Sequence, residues 1–93
     1  MTVERRQWRF LGRVQGVGFR AFCEEEARSR GVRGWVRNEP DGSVCVEAEA
    51  APRVLDALFL RLKQGPPFAR VDEAQTSTAT VRGESDELFS VRD

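Results

Sequence analysis

The sequence predicts an α+β fold in which two helices cover one face of an antiparallel sheet. Two segments space their apolar residues as amphipathic helices do, and four main segments around them carry strand patterns. The resulting order βαββαβ is typical of a ferredoxin-like sandwich. Because 93 residues suffice for one core and no linker or internal repeat is visible, we expect a single domain over residues 1–93.

The first strand and the first helix have clear periodicities. Between Gln7 and Val14, side chains alternate with the two-residue period of a strand that has one buried face. A helix is predicted from about Arg20 to Arg30, since apolar side chains recur at helical spacing and opposite charges lie one turn apart. Gly31 suits the left-handed C-terminal cap, so we expect the helix to end there.

The central part of the chain is predicted to form a β-hairpin. Residues 34–38 and 43–48 have strand-like composition, and they flank the turn residues 39–42. Proline, aspartate and glycine in that turn favour a tight reversal. Trp35, in the first strand of the hairpin, is expected to join Trp8 as a core aromatic residue.

The C-terminal part is predicted to contain a second helix and two strands. Pro52 suits the first turn of a helix, and a buried stripe of valine and leucine continues until Gly65 ends it. Residues 69–80 are rich in threonine and valine, as strands are. After a turn-like segment at 82–86, residues 88–91 are expected to add a short edge strand.

Composition excludes several classes of function. The 15 basic and 15 acidic residues cancel, so no overall field favours nucleic acid or an anionic membrane as a partner. Histidine is absent and Cys23 and Cys45 are the only cysteines, which excludes the usual zinc spacings and a Ser-His or Cys-His nucleophilic pair. Two lone cysteines are better explained as reduced thiols than as a disulfide, which predicts the cytoplasm. We further expect a monomer without metal or cofactor.

The segment from Gly12 to Arg20 is the most informative part of the sequence. Its glycines lie between a strand and the start of a helix, where N–H groups can turn inward and form an anion-binding nest with the positive helix end. Arg20 would add a planar pair of hydrogen bonds to the same anion. On spacing alone, a plain strand-to-helix turn with a solvated arginine is the simpler interpretation.

Two other interpretations of this segment are weaker. Gly16, Gly18 and Ala21 match a dinucleotide-binding fingerprint, but the chain is too short for a doubly wound sheet and lacks a second βαβ unit. Cys23 follows Arg20 instead of preceding the loop, so it does not fit the nucleophile of a cysteine phosphatase. Its helical spacing predicts a place in the core.

Two motifs together resemble the signature of the acylphosphatase family. The first is Gly-Arg-Val-Gln-Gly-Val-Gly-Phe-Arg at 12–20, and the second is Gly-Trp-Val-Arg-Asn at 34–38, followed by Asp-Gly-Ser-Val at 41–44. Gly-Pro-Pro at 65–67 and Phe-Ser-Val at 89–91 are similar to later landmarks of that family. The resemblance therefore spans nearly the whole chain.

This resemblance implies a function and a set of site residues. It implies a hydrolase of small acyl phosphates, in which Arg20 and the loop amides hold the phosphate and Asn38 places the attacking water. The phosphate-binding residues that it implies are Gln15, Gly16, Val17, Gly18, Phe19 and Arg20. A carboxylate leaving group needs no general acid, which fits the lack of histidine. Glu39 is expected to point to solvent, because a carboxylate near the phosphate would repel it.

Other functions remain open at this point. An RNA-recognition module shares the order βαββαβ, but it needs exposed aromatic residues on its central strands, and neither side of residues 43–49 provides them. On spacing alone, Asn38 before a Pro-Asp-Gly turn is explained as a turn residue that bonds its own backbone. A regulatory or carbamoyl-phosphate-handling domain of the same fold is a third possibility.

Overall fold

The computed structural model describes residues 2–83 and 88–93, which form five strands and two helices. The elements are β1 (Glu4–Arg13), α1 (Phe19–Ser29), β2 (Arg33–Asn38), β3 (Val44–Ala50), α2 (Pro52–Gln64), β4 (Arg70–Ala79) and β5 (Ser90–Arg92). The first six elements confirm the predicted order βαββαβ. The expected short edge strand is β5, although it begins two residues later than predicted. The turn expected at 82–86 lies partly outside the described residues.

The strands form one sheet in the order β4-β1-β3-β2-β5. The pairs β4-β1, β1-β3 and β3-β2 are antiparallel, whereas β5 lies parallel to β2. The expected antiparallel sheet is therefore confirmed for its four main strands. The exception is β5. Because β4 runs opposite to β2, and β5 runs opposite to β4, β5 is parallel to β2.

Both helices pack on one face of the sheet and enclose the core. Trp8 and Phe10 of β1 are at most 1% exposed, as the alternating pattern predicted. The buried side chains of the helices are Phe19, Cys23 and Ala27 of α1 and Leu55, Leu58 and Leu62 of α2. The rings of Phe10 and Phe19 meet edge to face with their centres 5.4 Å apart. The loop between β1 and α1 is therefore anchored to the core at both ends.

Trp35 is buried as expected, at 5% exposed, but it lies outside this core. It lies on the opposite face of the sheet, paired in register with Glu47 of β3. The guanidinium groups of Arg37 and Arg92 cover its ring, at 4.8 and 5.2 Å from the ring centre. Because Val36 occupies the core side of β2, its neighbour Trp35 faces the other way.

The face of the sheet without helices carries a buried ionic cluster. Arg5 of β1 pairs with Glu47 and, at 3.2 Å, with Glu49, and the side chains of Arg5 and Glu49 are each 4% exposed. Glu49 also accepts hydrogen bonds from the backbone N–H groups of Arg82 and Gly83, at 2.7 and 3.0 Å. These contacts hold the segment after β4 against the sheet. The buried acidic side chains of β3 are unsuited to stacking RNA bases.

The C-terminus of α1 has the hydrogen bonds of a Schellman motif. The Val32 N–H donates to the Ala27 carbonyl at 3.0 Å, and the Gly31 N–H donates to the Arg28 carbonyl at 3.1 Å. Gly31 has a φ of 68°, which confirms its predicted left-handed conformation. The helix begins and ends one residue earlier than predicted.

Gly12 belongs to β1, as the strand predicted from Gln7 to Val14 has it, so the loop of the 12–20 segment begins only after β1 ends at Arg13. It pairs with Val71 of β4, next to a β-bulge between Leu11 and Gly12. A Cβ atom on Gly12 would lie 2.2 Å from the Arg70 carbonyl oxygen, and the φ of Gly12 is 130°. Only glycine therefore fits where β4 approaches β1 at this point.

Gly12→Ala is expected to destabilise the protein more than Gly31→Ala does. Both changes strain a backbone with positive φ, which costs about 1–2 kcal/mol. A Cβ atom on Gly31 meets nothing within 4 Å, whereas one on Gly12 overlaps the β4 backbone and adds about 1–3 kcal/mol. Urea unfolding followed by tryptophan fluorescence measures both losses. Equal losses would show that β4 does not constrain Gly12.

Candidate active site

A pocket of about 190 Å³ lies where the loop after β1, the first turn of α1 and the end of β2 meet. Its walls are formed by Val14, Gly16, Gly18, Phe19, Arg20, Ala21 and Asn38. Arg20 and Asn38 come from different elements of the fold, yet they line the same pocket. Of the other residues predicted to bind phosphate, Gly16, Gly18 and Phe19 also line it, whereas Gln15 and Val17 do not.

The loop owes its shape to two glycines with a left-handed backbone. Gly16 and Gly18 have φ angles of 73° and 80°, and a Cβ atom on either would meet nothing within 4 Å. Glycine is therefore needed here for backbone conformation and not for space. Gly18 is also the N-cap of α1, and no side chain caps this end of the helix.

The uncapped end of α1 presents unpaired N–H groups to the pocket. The first helical hydrogen bond runs from the Phe22 N–H to the Gly18 carbonyl at 3.1 Å, so the amides of residues 19–21 have no acceptor in the helix. Within the described ranges 2–83 and 88–93, no backbone hydrogen bond has its donor among residues 15–21. These N–H groups and the positive end of the helix dipole favour a bound anion.

Arg20 is half-buried in the pocket wall and brings a positive charge to it. In the part of the chain that the structure describes, Arg20 has no carboxylate partner, whereas Arg28 and Arg30 of the same helix pair with Glu24 and Glu26. A guanidinium beside unpaired N–H groups makes the pocket locally positive, although the formal net charge of the chain is zero.

Asn38 ends β2 and adds a polar side chain to the pocket. Its Oδ1 atom is buried and has no hydrogen-bond partner among the described residues. A buried acceptor without a partner is unfavourable unless water or a ligand satisfies it. This oxygen is therefore suited to hold a water molecule at the pocket wall.

The turn after Asn38 is stabilised by other side chains. Asp41 Oδ1 accepts hydrogen bonds from the Ser43 hydroxyl at 2.6 Å and from the Ser43 N–H at 2.9 Å. These two bonds, the hydroxyl first, lower the pKa of Asp41. The turn function that spacing alone assigns to Asn38 is thus performed by Asp41.

Gln15 connects the loop to this turn. Its Nε2 atom donates to the Glu39 carbonyl at 2.8 Å and to the Ser43 carbonyl at 2.9 Å. Val17 is half-buried and packs against the core. Binding of phosphate by the backbone N–H groups of Gln15 and Val17 stays a prediction. The sequence carries no signal for the side-chain contacts of Gln15, because its partners are backbone atoms 24 and 28 residues away.

Glu39 does not point to solvent, so this prediction is wrong. Its side chain is only 14% exposed, and its carboxylate accepts a hydrogen bond from Arg37 Nε at 3.2 Å. Alternation along an extended chain places residues 37 and 39 on the same side, where their opposite charges attract. This ion pair offsets part of the repulsion that a lone carboxylate would exert on an anion in the pocket.

Neither cysteine lines the pocket. Cys23 and Cys45 are free thiols and both are buried, Cys23 in the core and Cys45 on the face of the sheet without helices. Burial raises the pKa of both thiols, so they stay protonated and unreactive at neutral pH. The predicted core position of Cys23 is confirmed.

The groups that the pocket offers are backbone N–H donors, one guanidinium and one carboxamide. Donors of this kind suit an anion with several oxygens, and the carboxamide suits a water beside it. The described residues include no group of three or more His, Cys, Asp or Glu side chains arranged to hold a metal ion. Neither described helix is long and apolar enough to cross a membrane.

Known proteins are similar to this chain in sequence and in fold. A family model described as Acylphosphatase matches residues 6–91. An acylphosphatase of Synechococcus sp. (strain CC9902) is 47% identical over 90 residues, which cover 97% of this chain and 75% of the relative. An acylphosphatase of Thermococcus kodakarensis is 51% identical over 75 residues, with coverages of 81% and 82%. The crystal structure of acylphosphatase from Bacillus subtilis superposes with a TM-score of 0.91 at 33% identity, covering 99% of this chain and 100% of that one.

Inorganic phosphate is expected to bind in the pocket through Arg20. Arg20→Ala should lower the affinity on the order of 10-fold or more, because charge-assisted hydrogen bonds are worth about 1.5–3 kcal/mol. Arg20→Lys should restore little of it, since a point charge lacks the planar pair of donors. Isothermal titration calorimetry with phosphate measures these affinities.

Arg53→Ala is the matched control for this measurement. Arg53 is the second residue of α2, as Arg20 is of α1, and its side chain is exposed. Its replacement should leave phosphate affinity unchanged. Normal phosphate affinity in a folded Arg20→Ala protein would place the anion site elsewhere.

Proposed function

The chain belongs to the acylphosphatase family, and on this basis we propose that it hydrolyses the carboxyl-phosphate bond of acyl phosphates to a carboxylate and inorganic phosphate. The observation that carries the proposal is a single pocket in which unpaired N–H groups, Arg20 and the unpartnered Oδ1 atom of Asn38 meet. The first two suit the phosphoryl group, and the third suits the attacking water.

In the proposed complex, the phosphoryl group lies at the N-terminus of α1. Its oxygens accept hydrogen bonds from the N–H groups of residues 15–20 and from the guanidinium of Arg20. These donors stabilise the charge on the equatorial oxygens as the reaction proceeds, and they need no reorganisation because the loop already holds them. The proposal is supported by the left-handed Gly16 and Gly18, which leave these amides without backbone acceptors.

Asn38 holds the attacking water in this mechanism. Its buried Oδ1 accepts a hydrogen bond from the water and directs a water lone pair to phosphorus, in line with the leaving carboxylate. A bond forms between the water oxygen and phosphorus. The bond between phosphorus and the carboxylate oxygen breaks, and its electron pair leaves on the carboxylate. The proton released by the water passes to the phosphate.

The leaving group explains why so few side chains suffice. A carboxylate is a weak base, so it departs without a proton from a general acid. Alkyl phosphates release a strongly basic alkoxide, which does need one. The sequence contains no histidine to supply that proton at neutral pH. The pocket is therefore proposed to discriminate between substrates by leaving group.

The proposal extends to the cellular setting. Two free, buried thiols fit a reducing compartment, so we place the protein in the cytoplasm. No cofactor enters the proposed mechanism, and the monomeric state expected from the sequence stays a prediction. A purely regulatory domain of the same fold would not require both Arg20 and Asn38 in one pocket, so their presence there favours the hydrolase.

Acyl phosphates are expected to be hydrolysed in the presence of a chelator, and alkyl phosphate monoesters only slowly. The physical reason is the leaving group, since nothing in the proposed mechanism protonates an alkoxide or requires a metal. Phosphate release from acetyl phosphate and from a simple alkyl phosphate, both with EDTA, measures the difference. Equal turnover of the two substrates, or activity only with added metal, would contradict the proposal.

Asn38→Ala is expected to lower kcat on the order of 10²-fold or more, as loss of other preorganised transition-state contacts does. Phosphate inhibition should barely change, because Asn38 holds water and not the phosphate. Steady-state kinetics with phosphate as inhibitor, on protein whose folding is checked by circular dichroism, separates the two effects.

Asn38→Asp is the sharper comparison. It nearly preserves the shape of the side chain but places a negative charge beside an anionic substrate. It should therefore lose activity and also bind phosphate less well than Asn38→Ala. A near-normal kcat in folded Asn38→Ala protein would leave Asn38 without a part in the reaction.

A further inference from the structure

We propose that Gln15 is a positioning residue that fixes Asn38 relative to the phosphate-binding loop. The inference rests on the proposed function, because it assigns Gln15 an effect on the attack of the water that Asn38 holds. The Gln15 side chain does not line the pocket, so it acts through the backbone of the neighbouring turn.

The contacts of Gln15 converge on the two carbonyls that close the hairpin turn. The Ser43 carbonyl accepts the Glu39 N–H at 2.8 Å, and the Glu39 carbonyl accepts the Gly42 N–H at 3.1 Å. Each of these carbonyls accepts its second hydrogen bond from Gln15 Nε2, at 2.9 Å for Ser43 and 2.8 Å for Glu39. A carbonyl oxygen has two lone pairs and a carboxamide nitrogen has two N–H groups. One Gln15 side chain can therefore supply the second hydrogen bond of both carbonyls.

The covalent chain carries this restraint directly into the pocket. Gln15 immediately precedes Gly16, and Glu39 immediately follows Asn38, and both Gly16 and Asn38 line the pocket. The Gln15 to Glu39 hydrogen bond therefore links the two walls through one residue on each side. A shift of the turn against the loop would move Asn38 against the phosphate site.

The two walls need such a restraint. The loop contains Gly16 and Gly18, whose backbones are not confined by a Cβ atom, and no side chain caps α1 at Gly18. Asn38 Oδ1 has no partner among the described residues, so the direction of its carboxamide depends on where the β2 backbone places it. Small misplacements of reacting groups are costly, about 10²-fold in rate for roughly 1 Å.

Gln15→Met tests the proposal, because it keeps the length of the side chain and removes both donors. We expect kcat for acetyl phosphate to fall on the order of 10- to 100-fold, while phosphate inhibition changes little. If Gln15→Met does not fold, Gln15→Asn makes the same test, since it is one methylene too short to reach both carbonyls. A folded variant with normal kcat would overturn the proposal.

Arg9→Met is the matched control. Arg9 Nη1 also donates twice to this turn, to Asp41 Oδ2 at 2.9 Å and to the Ser43 hydroxyl at 3.3 Å, and neither bond involves the loop after β1. Its loss should lower stability and leave kcat nearly unchanged. An equal fall in kcat for Arg9→Met and Gln15→Met would reduce Gln15 to one more support of the turn and overturn the proposal.

A double-mutant cycle separates positioning from general support of the fold. If Gln15 acts through Asn38, then Gln15→Met should lower kcat little further in the Asn38→Ala background. Independent, multiplying losses would overturn the proposal. The wild-type protein distinguishes failure of the proposed function from failure of the role of Gln15. If the wild type does not hydrolyse acetyl phosphate, the proposed function is refuted. If the wild type is active and Gln15→Met is equally active, only the positioning role of Gln15 is refuted.

Discussion

The left-handed backbone of Gly18 sets the conditions for the whole pocket. As the N-cap of α1, with a φ of 80°, it turns the chain into the helix and leaves that helix end without a side-chain cap. The N–H groups of residues 19–21 are then available to an anion instead of to the protein. Phe19 packs edge to face on Phe10 in the core, so this exposed helix end is also held in place. Rigid support and unsatisfied donors thus come from the same turn.

The pocket is locally positive although the chain has no net charge, because of how the charged side chains are distributed. Several arginines have carboxylate partners, as Arg5 has in Glu47 and Glu49 and as Arg37 has in Glu39. Their charges are neutralised where they lie. Arg20 has no such partner within the described part of the chain, so its charge adds to that of the helix end. An anion is therefore favoured locally while the overall field stays weak.

Most elements of the fold could be predicted from the sequence. The period of α1 and the glycine that ends it placed the helix to within one residue. The close approach of β4 to Gly12 was not predictable because β4 is remote in sequence, whereas the contacts of Arg37 with Trp35 and Glu39, two residues away on either side, follow from strand alternation and were overlooked. The approach of the β4 backbone excludes a side chain at Gly12, and guanidinium groups cover the ring of Trp35. Glu39 turns to Arg37 and away from solvent.

By itself, the sequence determined the helices, the strands and a loop whose glycines permit a nest of N–H groups, because periodicity and backbone freedom are local properties. Its resemblance to a known family pointed to Arg20 and Asn38 as site residues. Only the tertiary structure brought those two into one pocket and revealed the hydrogen bonds of Gln15, which reach carbonyls 24 and 28 residues away. Contacts over such distances depend on how strands and helices pack against one another, and no local pattern of side chains encodes them.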